Sequence, residues 1–185
     1  MGKIKLAMQW LEACAGCEMS MLDLDERLVE LLQHVELTSS PISDLKHPPK
    51  EGVEVGILSG GIGNEDEAAE AVQMRERSKT LIALGDCAVT GGICSMRNFF
   101  SREAVLRRAY VESESTVDGT VPLHEDLAPL TAQVAGVGDV VPVDIYLPGC
   151  PPSADAICYV LSELVAGRQP KLTGDVTLKY GLDGA

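Results

Sequence analysis

The chain has 185 residues, which is long enough for one domain with a substantial hydrophobic core, so its folding requires neither zinc nor disulfide bonds. Its 15 lysines and arginines are outnumbered by 28 aspartates and glutamates, and the net charge of −13 argues against a phosphate backbone or an anionic membrane as the main partner. We therefore expect a single domain over residues 1–185 that binds no nucleic acid.

The hydropathy of the chain predicts no membrane segment. No apolar run approaches the roughly 20 residues that a membrane span needs. Near the N-terminus, Gln9 and Glu12 interrupt the apolar stretch that a signal peptide would require. These patterns predict a cytoplasmic protein, and in the cytoplasm clustered cysteines more often bind metal or do redox chemistry than form disulfides.

Short apolar runs alternate with amphipathic stretches along the chain. In chain order the predicted elements are a strand at 4–8, a helix at 20–32, a strand at 53–59, a helix at 65–79, a strand at 80–84, a helix at 99–110, a strand at 143–147 and a helix at 153–167. Ser20 and Ser153 are the expected helix caps. The prolines and the glycine of residues 39–52 predict a connector, and residues 111–141 have no periodicity that indicates a helix or a strand.

Strands that alternate with helices predict an α/β fold, here a flavodoxin-like, doubly wound parallel sheet. Ligands of such sheets bind outside the carboxyl ends of the strands. Four cysteines follow directly after predicted strands, namely Cys14, Cys17, Cys87 and Cys150. The topology therefore predicts that they lie together at one edge of the sheet.

Four thiolates at one sheet edge suit an iron-sulfur cluster or zinc. A redox-active pair at Cys14 and Cys17 is an alternative, but it leaves Cys87 and Cys150 unexplained. Structural zinc sites usually take their ligands from two paired knuckles rather than from three distant loops. By contrast, Cys158 lies on an apolar helix face, where a cysteine is typically a small buried hydrophobic residue.

Three runs of sequence make the interpretation more specific: WLEACAGCEMSMLDLDERL, LGDCAVTGGICSMRN and LPGCPPSADAI. In this order they resemble the small subunit of nickel-iron hydrogenases of the cytoplasmic, bidirectional, NAD-reducing type. The similarity extends from Lys3 to about Gly167. It implies one 4Fe-4S cluster on the four cysteines named above, proximal to a nickel-iron centre that a separate large subunit holds.

The resemblance also implies a division of roles between subunits. This chain would carry electrons between the large subunit, where hydrogen is oxidised or protons are reduced, and a diaphorase-type partner coupled to NAD(P). No catalytic residue is expected in this chain. Members of the family have been associated with FMN, so a flavin is a further expectation, although no residue here identifies its site.

Two other functions remain open. The connecting subunit of a quinone reductase of the complex I type shares the general fold and the PGCPP motif, but its first two ligands are adjacent cysteines. Here Ala15 and Gly16 separate the first two cysteines, which favours the hydrogenase. A non-enzymatic module that binds zinc or flavin is the second alternative.

Three residues near the cysteines are singled out as candidates for a supporting role. Glu18 is a candidate proton relay or a solvated carboxylate. Arg97 is expected to balance the charge of the cluster, pair across an interface or form a surface salt bridge. Cys94 stands where related sequences tend to have proline, and it is expected either to alter the ligation or to be a bystander thiol.

Overall fold

A computed structural model describes residues 2–174 of the chain. Residue 1 and residues 175–185 lie outside the described part, so a single domain over 1–185 stays a prediction. The elements are β1 (Ile4–Trp10), α1 (Gly16–Leu22), α2 (Glu26–His34), β2 (Val35–Ser39), β3 (Val53–Ser59), β4 (Ile62–Asn64), α3 (Glu65–Arg77), β5 (Ser78–Leu84), α4 (Gly85–Thr90), α5 (Arg102–Tyr110), β6 (Leu130–Ala135), β7 (Ile145–Leu147) and α6 (Ala154–Val165). Short 3-10 turns form at Cys94–Phe99 and Val137–Asp139.

Five strands form the main sheet in the order β2-β1-β3-β5-β7, and every neighbouring pair is parallel. Counted among themselves, these strands have the order 2-1-3-4-5, which is the flavodoxin-like order of a doubly wound sheet. The remaining strands, β4 and β6, form a separate antiparallel pair. The predicted fold class is therefore confirmed.

The two faces of the sheet carry separate apolar cores. Successive side chains of a strand point to opposite faces, so Ile57 belongs to one core and Leu58 to the other. Residues of α1, α2 and α6 pack against the first face, and residues of α3 and α4 against the second. Because both faces are covered, the central strands β3 and β5 contain consecutive buried residues without alternation, as buried parallel strands do.

The first predicted helix is wrong in its boundaries. Residues 20–32 do not form one helix, since α1 ends at Leu22 and α2 begins at Glu26. Asp25 between them has a φ of 52°, a left-handed conformation that a continuous helix does not contain. Ser20 lies inside α1 and caps nothing; its hydroxyl donates to the carbonyl of Pro152 at 2.5 Å.

Other boundaries differ less. The strand β2 was not predicted, although it pairs with β1 at the edge of the sheet. The helix expected from residue 99 begins at Arg102, after the 3-10 turn. Ser153 is confirmed as the cap of α6, because its side chain accepts from the amide of Ala156. Within residues 2–174, no helix combines the length and the apolar composition needed to cross a bilayer.

We expect Leu81→Ala to lower the free energy of unfolding by roughly 2–5 kcal/mol, because Leu81 on β5 is 0% exposed and its loss leaves a cavity between the sheet and α3. Leu123 is 97% exposed, and Leu123→Ala should change stability by less than about 0.5 kcal/mol. Urea unfolding followed by circular dichroism measures both. Equal effects of the two substitutions would contradict the described core.

Candidate functional site

The four predicted cysteines line one pocket at the carboxyl edge of the sheet. Cys14 and Cys17 come from the connection after β1, Cys87 from the start of α4 after β5, and Cys150 from the loop after β7. The pocket has a volume of about 100 Å³ and is otherwise lined by small or backbone-rich residues, which are Ala13, Ala15, Gly16, Gly60, Asp86, Gly149 and Pro151. The four cysteines therefore lie together at the sheet edge where their positions in the sequence predict them.

Glycines let the backbone approach the sulfur atoms closely. A Cβ atom on Gly85 would lie 2.4 Å from the Sγ of Cys17, and Gly85 has a φ of +87°. A Cβ atom on Gly92 would lie 2.9 Å from the Sγ of Cys87. Both contacts are far below the distance that carbon and sulfur tolerate, so only glycine fits at either position.

The four thiols are close enough to affect one another electrostatically. Burial, together with the charges of Glu18 and of the other three cysteines, raises the pKa of Cys17 to about 12. Burial and the neighbouring Cys87, Asp86 and Cys14 also raise the pKa of Cys150. Four thiolates in this pocket would repel one another, and a cationic group between them would offset that repulsion.

The donor set fits a cluster better than a single ion. Among residues 2–174, no three His, Cys, Asp or Glu side chains are arranged to hold one metal ion. A single zinc ion needs its sulfur ligands at about 2.3 Å from one point. Thiols that surround a pocket instead of meeting at a point suit a group with several metal atoms, in which each iron takes its own thiolate.

Hydrogen bonds tie the cysteine-bearing connections to one another. The amide of Asp86 donates to the carbonyl of Gly149 at 2.9 Å, and the amide of Gly149 donates to Oδ1 of Asp86 at 2.7 Å. The bond from Ser20 to Pro152 links α1 to the loop after Cys150. Sequence reasoning missed Asp86, whose only signal was its place directly before Cys87, a predicted ligand.

Glu18 is buried, so its interpretation as a solvated carboxylate is wrong. Its side chain is 2% exposed, and the hydroxyl of Ser59 donates to Oε1. The second oxygen, Oε2, has no hydrogen-bond partner among the described residues. Glu18 also contributes to the wall of a second, apolar pocket of about 100 Å³ between β1, β2 and the helices α1 and α2.

Arg97 makes no ion pair within residues 2–174, so its interpretation as a surface salt bridge is wrong. Its guanidinium donates to the carbonyl of Gly63 at 2.9 Å and to that of Thr131 at 3.0 Å. The next residue, Asn98, exchanges two hydrogen bonds with the backbone of Val134. The MRN motif therefore fixes the 3-10 turn after Cys87 onto the β4–β6 pair.

Cys94 lies beside Cys87 but not among the residues that line the pocket. Its Sγ is 3.9 Å from that of Cys87 and donates to the carbonyl of Glu12 at 3.1 Å. Burial, together with the neighbouring Cys87 and Glu12, raises the pKa of Cys94 to about 12. Cys94 thus contacts Cys87, one of the predicted ligands, but lies outside the pocket that the four cysteines line.

A flavin receives no support from this geometry. Pockets that hold ligands of drug size have volumes of roughly 300–1,000 Å³. The pocket at the carboxyl edge of the strands, where a doubly wound sheet binds its ligands, has about 100 Å³ and is lined by the four cysteines. Larger pockets, of about 610 and 570 Å³, lie elsewhere on the chain. FMN is therefore not part of the function proposed below.

Comparisons with known proteins show the family of the chain. The family model described as NADH ubiquinone oxidoreductase, 20 Kd subunit, matches residues 14–164. The NAD-reducing hydrogenase HoxS subunit delta of Cupriavidus necator is 43% identical over 170 residues, which cover 90% of this chain and 81% of that subunit. The iron-sulfur subunit of the F420-non-reducing hydrogenase of Archaeoglobus profundus is 30% identical; the match covers 90% of this chain but 57% of that longer protein.

A solved structure shows the same relationship in three dimensions. One chain in the crystal structure of an NAD+-reducing [NiFe]-hydrogenase in the H2-reduced state superposes with a TM-score of 0.90 and 32% sequence identity. The match covers 96% of this chain and 99% of that one. The chain therefore belongs to the family of the NADH ubiquinone oxidoreductase 20 Kd subunit and, within it, to the small subunits of nickel-iron hydrogenases.

Proposed function

We propose that the chain carries one 4Fe-4S cluster on Cys14, Cys17, Cys87 and Cys150 and transfers electrons within a nickel-iron hydrogenase. The observation that carries this proposal is the single pocket that these four thiols line, although they come from three separate strand ends. The name of the Archaeoglobus relative, an iron-sulfur subunit, supports the same cofactor. When bound, such a cluster accepts and releases electrons one at a time.

The residues of the chain have defined tasks in this proposal. The four thiolates anchor the group, and the small residues of the pocket wall keep space for it while limiting access of water. Glu18 is the proposed proton relay, because it directly follows Cys17 and is buried. Ser59 orients one of its oxygens, which leaves the other to take up a proton.

The proposed complex has a large subunit on the side where the pocket opens. Cys14 and Cys150 are exposed in the isolated chain. The nearby 3-10 turn and its flanks also expose the apolar side chains Ile93, Met96, Phe99 and Phe100. Exposed apolar patches of this kind mark protein interfaces, and a large subunit there would cover the pocket.

The other assignments follow from the relatives and stay proposals. The catalytic nickel-iron centre lies in the large subunit, and a diaphorase-type partner coupled to NAD(P) exchanges electrons with this chain in the cytoplasm. The chain acts as one domain over residues 1–185. The name of the matching family also fits a quinone-reductase connecting subunit, but the two relatives and the solved structure described above are hydrogenases.

Metal analysis tests the cofactor directly. In the complex isolated without oxygen, we expect about four iron atoms and about four acid-labile sulfides per chain. Only the metal that this chain contributes must be counted, so these numbers are the difference from the same complex in which Cys14, Cys17, Cys87 and Cys150 are all replaced by Ala. Zinc without sulfide would overturn the proposal and favour the structural module.

Substitution of single cysteines distinguishes the proposed ligands from cysteines outside the site. Cys150→Ala should remove the cluster or reduce it to a form with fewer irons, because one iron loses its thiolate. Cys158→Ala is the matched control, since Cys158 lies on α6 outside the pocket lining and its Sγ makes a hydrogen bond with the Ser162 hydroxyl at 3.9 Å. Iron content and the electron paramagnetic resonance (EPR) spectrum of the reduced complex measure both. A normal spectrum in Cys150→Ala would contradict the assigned ligand set.

The glycine at position 85 provides a steric test. Gly85→Ala places a Cβ 2.4 Å from the Sγ of Cys17, so we expect a large loss of bound iron as well as lower stability. Gly167 has a similar φ of +70° but open space around it. Gly167→Ala therefore carries the backbone strain of roughly 1–2 kcal/mol without the contact to sulfur. Equal iron contents in the two variants would argue against a cofactor at Cys17.

A further inference from the structure

The loops of Cys87 and Cys150, which follow the neighbouring strands β5 and β7, are joined by a reciprocal pair of hydrogen bonds. The amide of Asp86 donates to the carbonyl of Gly149 at 2.9 Å, and the amide of Gly149 donates to Oδ1 of Asp86 at 2.7 Å. Asp86 directly precedes Cys87, and Gly149 directly precedes Cys150. Both residues also line the pocket.

The pair lies where the sheet no longer holds these two connections together. The ladder between β5 and β7 has three residue pairs and ends at Leu84 and Leu147. Beyond that point the chain turns into α4 on one side and into the loop of Cys150 on the other. The hydrogen bonds of Asp86 therefore continue the connection between the strands up to the residues that precede the cysteines.

Gly149 has two backbone groups to pair, its carbonyl and its amide. The backbone amide of Asp86 pairs the carbonyl, and the side chain of Asp86 is needed to pair the amide. Gly149 has a φ of +137°, and a Cβ atom on it would lie 2.6 Å from the Cα of Pro152. In this conformation its buried amide finds its partner in the carboxylate of Asp86. A buried amide without a partner costs free energy, so removal of this carboxylate favours a shift of the loop.

We propose that Asp86 is a positioning residue that fixes the distance between the loops of Cys87 and Cys150 and thereby retains the cluster. This inference rests on the proposed function, because it assumes that the two cysteines hold one group. Outer residues that orient metal ligands typically change metal affinity by 10–100-fold when they are replaced. The carboxylate also places a negative charge beside the pocket, which lowers the reduction potential of the bound group.

Two substitutions at position 86 separate geometry from charge. Asp86→Ala removes the acceptor, and we expect iron to be released to a chelator roughly 10-fold faster or more, with a broadened EPR spectrum. Asp86→Asn keeps an oxygen that accepts from the amide of Gly149. We expect it to retain iron at the wild-type rate while its reduction potential shifts to a more positive value.

The chain contains a matched control at the opposite end of the same two strands. The amide of Asp144 donates to the carbonyl of Leu81 at 3.0 Å, and Oδ2 of Asp144 accepts from the amide of Leu81 at 2.7 Å. Asp144→Ala breaks the same reciprocal arrangement between β5 and β7, but away from the cysteines. We expect it to lower thermal stability without changing the reduction potential or the EPR spectrum.

All variants are measured in the complete complex isolated without oxygen. The inference is wrong if Asp86→Ala releases iron at the wild-type rate, or if Asp144→Ala releases it as fast as Asp86→Ala. It is also wrong if Asp86→Asn loses iron, since charge rather than the hydrogen bond would then retain the cluster. If Asp86→Ala does not fold, iron retention and potential in Asp86→Asn decide. A wild-type complex without iron at this chain would instead refute the proposed function.

Discussion

Parallel pairing of β1, β3, β5 and β7 is the constraint on which the rest of the structure depends. Since all four strands run in one direction, their carboxyl ends meet at one edge of the sheet. Each connection that leaves this edge contributes to the same pocket, whatever its place in the sequence. Residues 14 and 150 are thus brought to one site by backbone hydrogen bonds that neither of them makes.

Two properties of the pocket bear on what it can hold: its volume and the charge of the thiols that line it. Four thiols surround a volume of about 100 Å³, and burial together with their mutual influence raises the pKa of Cys17 to about 12. Positive charge between deprotonated sulfur atoms in this pocket would offset their mutual repulsion. The glycines at 85 and 92 allow the close backbone approach that this arrangement needs, which connects their conformations to the proposed cofactor.

Several polar residues hold the connections in place around this pocket. Asp86 joins the loops of Cys87 and Cys150, and Ser20 joins α1 to Pro152. Arg97 and Asn98 attach the 3-10 turn to the β4–β6 pair. The side chains of all four form hydrogen bonds with backbone groups, and these bonds fix the position of the loops. Rigid ligand loops are what a preorganised metal site requires.

The sequence by itself determined the fold class, most strands of the main sheet and the positions of four cysteines after strand ends, because buried parallel strands are largely apolar and glycine or cysteine follows them. That these cysteines hold a cofactor stays a prediction. The sequence also determined the resemblance that identified the family. Only the tertiary structure decided the break at Asp25, the edge strand β2 and the tasks of Asp86, Ser20 and Arg97. These features depend on contacts between residues far apart in the chain, such as Ser20 with Pro152. Local sequence patterns indicate the periodicity of helices and strands, but they do not specify which distant carbonyl a side chain will bond to.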